Sequence, residues 1–139
     1  RTVDYGAIER YIMQIEAKYG VTVMGIGYDR YNALSTAQKL EDVGYTMVEI
    51  KQHSSVLHPA TKWLAELVAD GNLVYEKGNK LLEINFENSR CVYDTNMNRY
   101  VNKKKSRGKV DMVVAGINAM YLLHQNYMLN STLDWVVQM

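Results

Sequence analysis

The sequence predicts an α/β domain with a parallel sheet, and three observations carry this. Helical and strand-like segments alternate through residues 1–50. Of the two strand candidates, Val21–Tyr28 opens with a short apolar run, Val21 to Ile26, of the length and β-branched content of a buried strand, and Tyr45–Ile50 alternates too little for a surface strand. The helical pattern between them suits a right-handed crossover joining parallel neighbours. The 139 residues, 47% hydrophobic and 22% charged, suffice for a single domain, 1–139, with a real core.

Thr2–Tyr19 reads as a helix. Ile8, Tyr11, Ile12 and Ile15 fall on one face, Asp4 is placed to cap the start, and Gly20 ends it. After the strand Val21–Tyr28, a second helix spans about Asn32–Val43, with Leu34, Ala37, Leu40 and Val43 inward and Gly44 as its stop. A polar loop follows the second strand. His58–Asp70 is expected to be helical, with Pro59 in its first turn and Trp63, Leu64, Leu67 and Val68 on one face. Leu73–Tyr75 is a short extended piece and Glu76–Asn79 a turn. Lys80–Asn88 fits either a helix, through Leu81, Leu82, Asn85 and Phe86, or a strand, through Leu82, Ile84 and Phe86. Arg90–Asp94 reads as a strand, Thr95–Asn98 as a turn, and Lys109 to about Gln125 as the longest helix. The buried stripe of that helix is Val110, Val113, Val114, Ile117 and Tyr121.

Net charge is +1, so any argument for nucleic acid must be local. Cys91 stands alone, which excludes an internal disulfide framework. No apolar run reaches the ~18 residues of a membrane span, so no membrane partner is expected. The opening at Arg1, running straight into Val3-Asp4-Tyr5, reads as the middle of a longer polypeptide.

Two carboxylates stand out. Asp29 lies at the C-terminal tip of the first strand, where open α/β sheets expose their chemistry, although a capping or turn role is the plain reading of such a residue. Asp111 lies in the first turn of the long helix, where the dipole favours an ionised carboxylate. Just before it, residues 99–109 hold six basic residues, Arg99, Lys103, Lys104, Lys105, Arg107 and Lys109, and no acid. That run is either a solvated loop or a stripe that contacts phosphates. If Asp29 and Asp111 face a shared Mg²⁺, their carboxylates should lie roughly 4–7 Å apart. Two such ions about 3.5–4 Å apart can activate water and stabilise a leaving oxygen in phosphodiester hydrolysis. No phosphate-binding P-loop, GxSxG, HExxH or CxxC competes. His53, His58 and His124 are too dispersed for a zinc site.

The string GIGYDRYNA, then VEIKQHSSVLHPATKWLAELVADGNLVYEKGNKLL, then KKKSRGKVDMVVAGINAMYLL, resembles the C-terminal nuclease domain of tailed-phage large terminase subunits. The resemblance runs over nearly the whole chain, and it is the order and spacing of three segments that make it specific. It implies a ribonuclease H-like (integrase-like) fold, three-layered around a mostly parallel sheet. It further implies a metal-dependent endonuclease that cuts concatemeric double-stranded DNA during packaging. Asp29 and Asp111 fall on the family's catalytic, metal-binding acids, with Mg²⁺ or Mn²⁺ as cofactor. Lys105 and Lys109 match its lysines before the last acid, which extends a DNA-binding role to Lys103, Lys104, Lys105 and Lys109. Gln52 and Asn88 match structural positions.

The implied partners are double-stranded DNA, the terminase ATPase domain, the small terminase subunit and the portal, in the cytoplasm of a host carrying a phage or prophage. The family's first acid lies on a strand with no counterpart in these residues. The resemblance therefore makes this chain an N-terminally truncated nuclease domain, inactive in isolation, whose exposed sheet edge invites self-association. The rival reading is a non-catalytic fragment that binds DNA or motor partners.

Overall fold

A computed structural model describes residues 2–138, with side chains over 2–126. It holds five helices and four short strands among these residues, in two compact units, Arg1–Ile50 and Lys51–Met139.

The first unit runs α1 (Tyr5–Tyr19), β1 (Ile26–Tyr28), α2 (Leu34–Asp42) and β2 (Met47–Glu49). Asp4 caps α1, its carboxylate accepting the Ala7 N–H at 3.0 Å. At the other end Gly20 takes the left-handed conformation, φ 64°, that a helix stop of this kind requires. The strands pair in parallel, Ile26 opposite Met47 and Tyr28 opposite Glu49, as the crossover pattern demands.

β1 is shorter than the apolar run that announced it. Val23 gives its N–H to the Glu16 carboxylate at 2.9 Å, outside any ladder, and β2 offers only three residues for pairing. α2 likewise starts late, because Asn32 is left-handed at φ 63°. Ala37 and Leu40 of α2 are buried with Ile50, while Leu34 and Val43 are exposed, contrary to expectation. Ile12 and Ile15 of α1 are half-buried, but Ile8 and Tyr11 on the same expected face are exposed. Glu9 of α1 ties the helices together, accepting from Thr36 and facing Lys39 at 3.9 Å.

The second unit runs α3 (Ser54–Ala69), α4 (Lys80–Asn88), β3 (Cys91–Tyr93), β4 (Arg99–Val101) and α5 (Asp111–Gln138). α3 begins four residues before the expected His58, so Pro59 lies inside the helix and not in its first turn. His53 explains the early start. Its ring accepts the Ser55 N–H, and its carbonyl accepts the N–H groups of Val56 and Leu57. The first turn is thus closed before Pro59 removes a bond. Leu73–Tyr75 pairs with nothing as a strand. Lys80–Asn88 resolves as a helix, capped by Asn79 through the Leu82 N–H. The core is Ala60 and Leu64 of α3 against Val113 and Ile117 of α5, with Leu57, Phe86 and Val101 around it.

β3 and β4 form an antiparallel hairpin, so Arg99 belongs to a strand and not to the basic loop. Its turn is organised by Asp94, which accepts from the Ser54 hydroxyl at 2.6 Å and from the backbone of Asn96 and Asn98, each at 2.8 Å. The Ser54 hydroxyl first, and the Asn98 N–H next, hold the Asp94 carboxyl down at about 2. An ordinary aspartate titrates at about 3.9, so the folded state favours the ionised form. The resulting stability is complete above about pH 4 and lost as pH falls toward 2. Asp94→Asn should remove this pH dependence from acid unfolding followed at the hairpin amides. Equal pH dependence in both proteins would discount it.

Candidate functional site

Asp29 follows directly on β1. The strand ends at Tyr28 because its ladder runs out there, the Tyr28 carbonyl accepting the Ile50 N–H as the last bond. Asp29 is exposed, and one carboxylate oxygen accepts the Tyr31 N–H at 3.3 Å, a turn-forming contact that engages only that oxygen. Arg30 beside it pairs with Glu49 at 3.6 Å. The strand-tip position is therefore as expected, and the local turn role is real as well.

Asp111 is the first residue of α5. Its carboxylate is exposed and has no hydrogen-bond or ion-pair partner among the described residues. Val110 before it is buried, at 3% exposure, and joins the core side of the helix. The start of α5 is held from α4. The Asn85 side chain accepts the Met112 N–H at 3.1 Å and donates to the Leu81 carbonyl at 2.9 Å. Asn88 donates to the Lys109 carbonyl at 3.0 Å, and its own carbonyl accepts the Arg107 N–H. A Cβ at Gly108 would stand 2.8 Å from the Asn88 amide nitrogen, so a larger residue there would push that side chain off the Lys109 carbonyl.

The basic loop is an ordered turn. Asn102 accepts the Lys105 N–H with its side chain and both the N–H and hydroxyl of Ser106 with its carbonyl. Ser106 in turn accepts the Arg90 N–H. These bonds use only backbone, Asn102 and Ser106, so the side chains of Lys103, Lys104 and Lys105 stay exposed at the tip. Lys109, also exposed, stands two residues before Asp111.

Asp29 belongs to the first unit, and Asp111 and the lysines to the second. Among the described residues no three His, Cys, Asp or Glu side chains group as a metal site. No described helix is long and apolar enough to cross a membrane. Sequence reasoning placed Asn85 only on a helix face, without its bond to α5, and missed Asn102 and Ser106. The signal for Asn85 was an amide on the inward face of an apolar helix, where it must find partners. Gln52 and Asn88, expected to be structural, do bond within the second unit, Gln52 donating to Asn118 at 3.0 Å.

Residues 1–126 match the family described as the terminase large subunit, endonuclease domain. The chain belongs to that family. Its structure is similar to the crystal structure of the HK97 bacteriophage large terminase, with a TM-score of 0.73 at 24% identity over 86% of this chain. At that identity the likeness speaks for the fold, which is ribonuclease H-like. The chain spans 25% of the length of the HK97 protein. No curated protein matches it. The family is described as an endonuclease domain.

Proposed function

We propose that this terminase domain cuts concatemeric double-stranded DNA by metal-dependent phosphodiester hydrolysis, with Asp29 and Asp111 as metal-binding catalytic carboxylates. The family match over residues 1–126 carries this reading. The donor chemistry fits Mg²⁺ or Mn²⁺: both residues offer exposed, hard carboxylate oxygens, and Asp111 has no competing partner among the described residues. Bound there, such ions would supply Lewis acidity and an activated water, in the two-metal form where a pair of ions is held. Lys103, Lys104, Lys105 and Lys109 hold the DNA backbone. The terminase ATPase domain, small subunit and portal are the proposed partners, and the host cytoplasm the place of work.

The test is cleavage of supercoiled plasmid by a terminase large subunit carrying this domain. Nicked and linear products should form with Mg²⁺ or Mn²⁺ and vanish with EDTA. Cleavage that persists in EDTA would remove the metal requirement, and no cleavage with any divalent ion would remove the nuclease. A second reading applies to the chain alone, since among the described residues no three His, Cys, Asp or Glu side chains group as a metal site. On that reading the 139-residue chain binds duplex DNA without cutting it.

A further inference from the structure

Helix α5 begins without a capping residue of its own. Val110 precedes Asp111 and accepts the Val114 N–H through its carbonyl, but its side chain has nothing to offer the free N–H groups of the first turn. The place of a capping side chain is filled from another helix. Asn85 of α4, 3% exposed, puts its carbonyl oxygen on the Met112 N–H, the bond that a capping asparagine at position 110 would have made. The other end of the same amide donates to the Leu81 carbonyl one turn back on α4, so only one orientation of the side chain satisfies both contacts.

Asn88, one turn further along α4, fastens the Lys109 carbonyl at 3.0 Å. Two asparagines on one face of α4 thus grip the residues on either side of Asp111. The Asp111 side chain is left untouched. Core packing alone does not require this arrangement, since Val113 and Ile117 already seat α5 against α3.

We propose that Asn85 is a positioning residue for Asp111: by capping α5 from α4 it fixes where the helix starts and so holds the carboxylate in place as a ligand for a divalent cation. The inference rests on the reading of Asp111 as a metal ligand. Outer groups that orient a ligand are worth about 10–100-fold in metal affinity, without touching the ion.

The experiment uses the ¹⁵N-labelled chain, with Mn²⁺ as a paramagnetic probe that broadens amide resonances around Asp111. Wild type is compared with Asn85→Ala, Asn85→Gln, Asp111→Asn and Ser54→Ala. The last removes a hydrogen bond to the hairpin and controls for reduced stability alone. In Asn85→Ala the Met112 amide should exchange about fivefold faster, the equivalent of a missing cap. The Mn²⁺ concentration for half-maximal broadening should rise about tenfold. Asn85→Gln keeps both polar groups on a longer stem. It should fall between wild type and Asn85→Ala, and it carries the test if the alanine variant fails to fold. Ser54→Ala should leave the Mn²⁺ midpoint unchanged.

If both Asn85 variants keep the wild-type Mn²⁺ midpoint while Asp111→Asn raises it, the positioning role is overturned and the metal reading stands. If Asp111→Asn leaves the midpoint unchanged, the metal reading falls and the positioning role with it. An equal rise in Ser54→Ala would reduce the Asn85 effect to general destabilisation and overturn the proposal.

Discussion

Asp29→Asn and Asp111→Asn, each introduced into a terminase large subunit carrying this domain, should abolish DNA cleavage and leave the fold standing. The two effects differ greatly in size. Removing a metal-binding carboxylate should cost more than the ~10–100-fold of a change to a group that only orients a ligand. The structural cost is small. Asp111 has no partner among the described residues, so its replacement gives up little beyond a favourable position at the helix start, about 0.3–1 kcal/mol. Asp29 gives one oxygen to the Tyr31 N–H, and the asparagine amide oxygen can accept the same bond. Without metal, removal of a negative charge should leave the unfolding temperature nearly unchanged in both variants. The measurement is plasmid cleavage beside thermal unfolding in EDTA. A variant that unfolds without metal makes its aspartate structural, and one that cuts at the wild-type rate excludes that aspartate from the site.

The places of both acids in the fold were legible because each position is defined by its neighbours. An apolar run that breaks at Gly27-Tyr28-Asp29 marks a strand tip, and Lys109-Val110-Asp111 before an apolar stripe marks a helix start. The caps of α1 were legible for the same reason, since Asp4 and Gly20 act within one turn of themselves. Most errors arose where distant partners decide, and one, the start of α3, where a local histidine cap lies before the apolar pattern begins. β1 could be no longer than its partner β2, and α3 began where His53 closed the first turn, so Pro59 misled as a boundary mark. Lys80–Asn88 read equally as helix or strand until Asn79 and Asn85 found their partners, the second of them in α5, 27 residues away. Periodicity carries no information at that range. The turn that presents the lysines is of this kind too, built by Asn102 and Ser106 with help from Arg90.

That turn makes the lysine run a clean target. Replacing Lys103, Lys104 and Lys105 together with alanine should weaken duplex binding on every sequence alike, because groups that hold phosphates position a protein without reading bases. The turn should survive, since Lys105 enters it only through a backbone N–H that alanine also has. Each phosphate no longer neutralised should lower the magnitude of the log–log salt slope by about 0.9, so three such phosphates flatten it by about 2.7. The substitution also changes the net charge of the chain from +1 to 1 − 3 = −2. A second triple variant, Lys39→Ala, Lys62→Ala and Lys77→Ala, makes the same charge change at exposed positions elsewhere and separates the two causes. Binding of all three proteins to unrelated duplexes across a salt series decides the matter. A flattened slope in the loop variant alone makes Lys103–Lys105 a DNA-binding segment. Equal flattening in both variants leaves only the field of the whole chain, and unchanged slopes in both leave a solvated loop.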